Sequence, residues 1–157
     1  AYNTGNTARQ TIAEILKDNL EYLNPNFKVE TRGIQWSQFL DERRNKRLPV
    51  STIAWIPDFA DPDNYIHIFY SSTGLYAGDN GYKNEQIDEL DAKARTSLDP
   101  EERVALYSQI GNIAYEDSPY ILVPQGVPLL VVSDKLQGVY LNPMYSASYL
   151  WKDVSKN

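Results

Sequence analysis

The sequence predicts an α/β fold built from βαβ units with flanking helices. Over the first third of the chain, segments of helical period alternate with short extended ones, the order that gives a parallel sheet with right-handed crossovers. Helix starts are explicit at Thr7, Asp61 and Asp99. The stretch Val50–Ile56 is rich in β-branched and apolar residues, as strands covered on both faces are. At 157 residues, 42% hydrophobic and 23% charged, the chain has the size and composition of one globular domain. A net charge of −6 sets its field against nucleic acid and anionic membrane surfaces, so neither is expected as a partner. Without cysteine, disulfides, thiolate metal sites and cysteine nucleophiles are excluded. No apolar run approaches the roughly 18 residues of a membrane span, and no signal-peptide pattern opens the sequence.

Taken in order, Tyr2–Asn6 reads as a turn that follows an earlier strand. Thr7-Ala8-Arg9-Gln10 has the form of a capping box, and Ile12, Ile15, Leu16, Leu20 and Leu23 then recur at helical spacing until Asn24-Pro25-Asn26 stops the helix. Phe27, Val29 and Thr31 alternate with Lys28 and Glu30 as a half-buried strand, with a bulge at Gly33. Ser37 is the expected cap of a second helix that turns Phe39 and Leu40 inward. Asp41, Glu42, Arg43, Arg44, Lys46 and Arg47 then form a mostly solvated face whose basic end suits a helix C-terminus. Val50–Ile56 is the next strand.

Asp61 before Pro62 starts a helix that runs to Tyr70: a side-chain acceptor at the cap is followed by a ring whose missing N–H costs nothing there. Ser71 to Tyr82, with Gly74, Gly78 and Gly81, reads as a loop without a phosphate-binding pattern. Asn84 to Ala94 puts Ile87, Leu90 and Ala94 on one helical face. Asp99-Pro100-Glu101-Glu102 begins a last helix, with Glu102 placed to close a capping box and Val104, Tyr107, Ile110 and Ala114 along it to about Asp117. Pro124 and Pro128 divide Tyr120–Val132 into two extended pieces around Gln125-Gly126. No repeat or linker interrupts the chain, which reads as one unit over 1–157.

The chemistry is sparse. His67, the single histidine, lies between Ile66 and Ile68 in a helix; it reads as packed rather than ligating, and no metal or cofactor is expected. No G-x-S-x-G supports a catalytic triad, and no catalytic residue is assigned. Asp58, Asp61 and Asp63 depart from a calcium loop at Pro62 and at the absent glycine. Two carboxylates among aromatic residues also admit a glycoside hydrolase, although capping commits Asp61. Asp58 keeps two readings: a turn former bonding its own backbone, or a partly desolvated carboxylate that pairs with an ammonium group. In the second, Trp55 walls a cleft past the carboxyl end of a strand, where open α/β sheets hold ligands.

Trp-Ile-Pro-Asp-Phe-Ala-Asp-Pro-Asp-Asn-Tyr (Trp55 to Tyr65) resembles the Trp-x-x-Asp-x-x-Asp-Pro-Asp-Asn-aromatic segment of family 5 solute-binding proteins, the extracytoplasmic receptors of oligopeptide, dipeptide and nickel ABC importers. The turn Tyr2–Asn6 before a helix, the strand into Trp36-Ser37-Gln38-Phe39-Leu40, and Asp99-Pro100-Glu101-Glu102-Arg103 leading to Val123-Pro124 resemble the same family in the same order. The resemblance spans nearly the whole chain.

It implies one lobe, the C-terminal one, of a two-lobed type II periplasmic-binding-protein-like fold, with residues 120–157 a return segment toward a missing N-terminal lobe. It further implies a binding protein rather than an enzyme, outside the cytoplasm, capturing a peptide or an oligosaccharide for an ABC permease. On the same resemblance, Asp58 matches the aspartate that pairs with a peptide α-ammonium group, while Trp55 and Trp36 match aromatics lining the pocket. Ala54 and Ile56 match positions whose backbone pairs with an extended peptide. Arg43 falls where some relatives place a pocket arginine. Gln125 and Gly126 stand where relatives often carry tyrosines, and sugar-binding members use tryptophans as stacking platforms. A hydrolase domain and a sensor or interaction module on the same fold remain the competing readings.

Overall fold

The parallel pairing expected of βαβ units is present, but it is short. In the computed structural model, which describes residues 1–126, 129–140 and 151–156, β1 (Tyr2–Asn3) is followed by α1 (Thr7–Leu23) and β2 (Gly33–Ile34). The two strands pair in parallel, Tyr2 with Gly33 and Asn3 with Ile34. The other edge of β1 is used too: the Ala1 amino group donates to Val50 O at 2.7 Å and Thr52 N donates to Ala1 O at 3.0 Å. Segment 50–52 therefore flanks β1 opposite β2, reached through α2 (Trp36–Arg44). After it come α3 (Asp63–Tyr70), α4 (Leu75–Asn80), α5 (Glu85–Thr96), α6 (Pro100–Asp117), β3 (Leu136–Gln137), a 3-10 turn at Trp151–Asp153 and β4 (Ser155–Lys156).

The chain divides into two compact units, one of Ala1–Trp55 with Ile68–Asp88 and one of Ile56–His67 with Glu89–Asn157. In the first, the sequence expectations need several corrections. Tyr2–Asn3 is a strand rather than part of a turn; the chain turns only at Gly5, whose φ of +82° glycine adopts without a steric penalty. That turn limits the ladder, so the strand expected over Val50–Ile56 keeps only its first bonds. The strand expected over Phe27–Thr31 is displaced to Gly33–Ile34, where no bulge forms. Val29 N instead donates to Glu21 Oε1 at 3.0 Å, and that bond, with Lys17, holds the Glu21 carboxyl below its usual pKa.

Helix caps also differ. Asn6, not Thr7, caps α1, its Oδ1 accepting from Arg9 N at 3.0 Å. Helix α2 begins at Trp36 after Gln35, with no side-chain cap from Ser37. Glu42 and Arg43, expected outward, are buried. The loop expected over 71–82 contains α4, which ends at Gly81 in the left-handed region, a common helix stop. The core of this unit contains Ala13, Ile34, Phe39, Tyr76, Ala77 and Ile87. Buried Ser71 and neighbouring Ser72 are satisfied by the Asp88 carboxylate, which accepts from Ser72 N at 2.7 Å and Ser72 Oγ at 2.6 Å.

In the second unit, Asp99 caps α6 as expected, accepting from the amides of Glu101 and Glu102, and Pro100 sits in the first turn. The Glu102 side chain turns to Ser97 Oγ instead of closing a capping box. Leu90, Ala94, Leu106, Tyr107, Ile110 and Ala114 are buried here. Strands β3 and β4 pair antiparallel, Leu136 with Lys156. The extended pieces expected over Tyr120–Val132 form no ladder among the described residues, and Val127 and Pro128 lie outside them.

Burial of Arg43 generates the first prediction. Its guanidinium donates to Asp79 Oδ2 at 2.6 Å, with side chains 4% and 13% exposed. Breaking a buried pair from one side costs about 3–5 kcal/mol, whereas replacing both partners by apolar residues costs less. In urea denaturation followed by circular dichroism, Asp79→Ala is expected to lose more stability than the double variant Arg43→Met with Asp79→Leu. The reverse order contradicts the account.

Candidate functional site

The residues that the resemblance singles out fall on both units, and each unit organises its own share. In the first, Trp55 follows the short extended segment and meets Tyr76 of α4 edge-on, ring centroids 5.6 Å apart at 86°. Tyr76 is 7% exposed, packs against Phe69 at 4.8 Å and 67°, and carries the Arg43 guanidinium 4.0 Å from its ring centre. Edge-to-face contacts and a cation over a ring face both fix ring orientation as well as adding binding energy. Trp55, Tyr76, Arg43 and Asp79 are thus one packed assembly. Burial pushes the Tyr76 hydroxyl above its usual pKa, and Arg43 opposes part of that rise.

Trp36 lies in the same unit. It is 46% exposed, stacks on Phe39 at 5.8 Å and 14°, and has the Arg9 guanidinium 5.7 Å from its ring centre. Asn3 Oδ1 accepts from Arg9 Nη1 at 2.6 Å. Burial lowers the pKa of Arg9, Tyr76 opposes that change and Arg43 adds to it. Ala54 is exposed, outside any helix or strand.

The second unit holds Ile56, Asp58, Gln125 and Gly126, all exposed. The Asp58 segment is shaped by the Asp-Pro-Asp-Asn run that follows it. Buried Asn64 turns its Oδ1 to accept from Asp58 N at 3.1 Å. Asp61 Oδ1 accepts from Asp63 N at 2.9 Å, capping α3 as the sequence predicts. The same carboxylate takes Arg103 Nη2 at 2.7 and 2.6 Å on its two oxygens. Arg103 Nη1 donates in turn to Ala94 O at 2.5 Å, so one guanidinium on α6 ties the start of α3 to α5. Asp61 therefore has no free role as a second catalytic acid. Nearby, Asp63 contacts Arg95 Nε at 3.0 Å, and His67 Nδ1 lies 2.8 Å from Asp91 Oδ2. Two pockets open in this unit: one of about 520 Å³ lined by Pro62, Pro100, Arg103, Val104, Tyr107 and Ser108, and one of about 320 Å³ lined by Phe59, Asp61, Asp63, Arg95 and Arg103.

Sequence reasoning missed Tyr76, Asn64 and Arg103. Asn64 and Arg103 were within quoted motifs, and a buried amide beside a helix cap is a signal for backbone bonding. Tyr76 left no signal, because its helix is only six residues long and glycine-flanked.

Comparison with known proteins places this geometry. Residues 1–77 match the family model described as bacterial extracellular solute-binding proteins, family 5 Middle. Di/tripeptide-binding protein 4 of Pseudomonas aeruginosa is 29% identical over 131 residues, 81% of this chain and 24% of that protein. An oligopeptide-binding protein of Borrelia burgdorferi, OppAIV, is 27% identical with a TM-score of 0.63 over 75% of this chain and 23% of its own. HbpA2 from Haemophilus parasuis, at 22% identity, superposes with a TM-score of 0.74 over 94% of this chain and 28% of its own, which shows a shared α/β fold. The chain spans about a quarter of the length of the relatives it matches.

The double duty of Asp61 is separable by substitution. Asp61→Asn keeps a capping oxygen and loses the charge facing Arg103; Asp61→Ala loses both. With the ion pair discounted for partial exposure, losses of about 1 kcal/mol and about 2 kcal/mol are expected respectively in urea denaturation. Equal losses contradict the capping role.

Proposed function

We propose that this chain, whose residues 1–77 match the model of the family 5 bacterial extracellular solute-binding proteins, is the C-terminal ligand-binding lobe of a two-lobed receptor that captures peptides for an ABC importer. Relatives named as di- and tripeptide-binding and oligopeptide-binding proteins support a peptide as the ligand class. The observation that carries the reading is the run 54–58, outside any helix or ladder: Ala54, Ile56 and Asp58 are exposed, while Trp55 is held edge-on against Tyr76. Such a segment suits a peptide that lies along it, because main-chain bonds supply affinity independent of side chains and a carboxylate at its end fixes the ammonium terminus.

In this proposal Asp58 pairs with the peptide α-ammonium group, and the backbone of Ala54 and Ile56 pairs with the peptide main chain. Trp55 and Trp36 contribute flat apolar walls, and Gln125 and Gly126 line the return segment. Arg43, being buried against Asp79 and Tyr76, acts on the ligand only by holding Trp55 in orientation. The opposite wall of the pocket comes from an N-terminal lobe that closes over the ligand, as hinge-closing receptors do. Release to a permease and a location outside the cytoplasm belong to the same reading. No helix among the described residues is long and apolar enough to cross a membrane. The commitment of Asp61 to Arg103 and to the cap of α3 speaks against the carboxylate-pair hydrolase.

Calorimetry on the complete receptor tests this with a peptide and its N-acetylated form. Asp58→Asn is expected to weaken the free-amine peptide by about 2 kcal/mol or more, since it leaves a desolvated ammonium unpaired. The acetylated peptide, already weak, is expected to be nearly indifferent to the change. Equal effects on both forms contradict the ammonium role of Asp58. Tight binding of an oligosaccharide that is insensitive to Asp58→Asn but abolished by Trp36→Ala or Trp55→Ala transfers the site to sugars.

A further inference from the structure

Away from the segment assigned to the peptide, the second unit gathers two carboxylates and the single histidine of the chain. Asp63 and His67 are four apart on α3 and so share a face, and Asp91 comes from α5. One donor atom from each lies within 4.8 Å of the others. Asp91 is 3% exposed; its Oδ2 faces His67, but its Oδ1 is buried with no hydrogen-bond partner among the described residues. Asp63 Oδ1 is likewise buried, and there Arg95 Nε at 3.0 Å supplies a compensating charge. A buried carboxylate oxygen without a donor, as Asp91 Oδ1 is, is costly and is an expected mark of an ion or water that belongs at the site.

We propose that Asp63, His67 and Asp91 bind a divalent transition-metal ion. One imidazole nitrogen with two carboxylates is a donor set for zinc, cobalt or manganese, whereas calcium and magnesium take oxygen ligands alone. Tetrahedral ligands about 2.0–2.2 Å from zinc stand a little over 3 Å from one another, so donors now within 4.8 Å reach that geometry by small side-chain rotations. Asp63 also lines the 320 Å³ pocket with Phe59, Asp61, Arg95 and Arg103, which gives an entry path and room for water at the remaining coordination positions.

Arg95 is the competitor. Its Nη1 lies 3.4 Å from His67 Nδ1 and its Nε contacts Asp63, so its single charge occupies the place of the ion. At 46% exposure its side chain has solvent to move into. Metal binding and the Arg95 contacts are alternatives, and each excludes the other. This inference does not depend on the peptide reading.

The test uses the chain without a polyhistidine tag, stripped by chelator and titrated with Co²⁺ and then Zn²⁺. Binding is read from cobalt visible absorption and from the imidazole NMR signals, which belong to His67 alone because the sequence has one histidine. One equivalent of cobalt is expected to bind, zinc to displace it, and the His67 signals to shift with it. His67→Gln and Asp91→Asn should each weaken binding at least tenfold, and Arg95→Gln should strengthen it. Absence of saturable binding at one equivalent, or binding in which the His67 signals do not move, overturns the proposal. An Arg95→Gln variant that is less stable and binds no metal identifies Arg95 as the resident cation and also overturns it. Should His67→Gln fail to fold, the wild-type imidazole signals and the Arg95→Gln titration decide alone.

Discussion

The carboxylate of Asp61 is the constraint on which the second unit most depends. It closes the first turn of α3 by accepting the Asp63 amide, and it receives Arg103 on both oxygens. Arg103 in turn bonds Ala94 O, so a single side chain at the start of one helix sets its position against α5 and α6. Three residues on, Asn64 bonds back to the Asp58 amide. The backbone leading to Asp58 is thereby fixed by the same few residues that start the helix. A group on a loop that is already held in one geometry loses less freedom on binding.

The first unit fixes its own aromatic residue by a different device. Tyr76 is packed between Phe69, the edge of Trp55 and the guanidinium of Arg43, and Arg43 is anchored by Asp79. A buried ion pair contributes little net stability by itself but is costly to break from one side, so it works as a fixed strut rather than a source of energy. The short parallel pairing of β1 with β2 and with segment 50–52 brings the chain to Trp55 from the opposite edge. Both units therefore deliver their part of the Trp55–Asp58 segment through polar interactions satisfied within that unit.

Much of this was legible in the sequence, and the failures have physical causes. Helices α1, α5 and α6 carried clear apolar periods and were placed within a residue or two, and the caps at Asp61 and Asp99 were read correctly because an acceptor before proline has few other uses. Strands were read less well: Phe27–Thr31 alternates, but its amide at Val29 is taken by Glu21, and β1 is too short to extend the pairing of 50–56. The charges on α2 look solvated from local spacing, which cannot show that Asp79, thirty-six residues away, pairs with Arg43. Helix α4 was lost among glycines. The motif Trp55 to Tyr65 carries the resemblance, yet the bonds of Asn64 and Arg103 show only in the coordinates. His67 reads as packed from its apolar neighbours, and its partner Asp91, twenty-four residues away, shows only in the coordinates.

The local geometry leads to one physical claim: the turn that carries Asp58 is held in place by the start of α3. Amide hydrogen exchange at Asp58, followed by NMR in the ligand-free chain, measures this most directly. If Asn64 holds that amide, Asp58 N–H exchanges far more slowly than an unstructured peptide, and Asn64→Ala removes the protection there while leaving α6 protected. Exchange of the Asp58 amide at the unstructured rate in the unsubstituted chain would contradict the account.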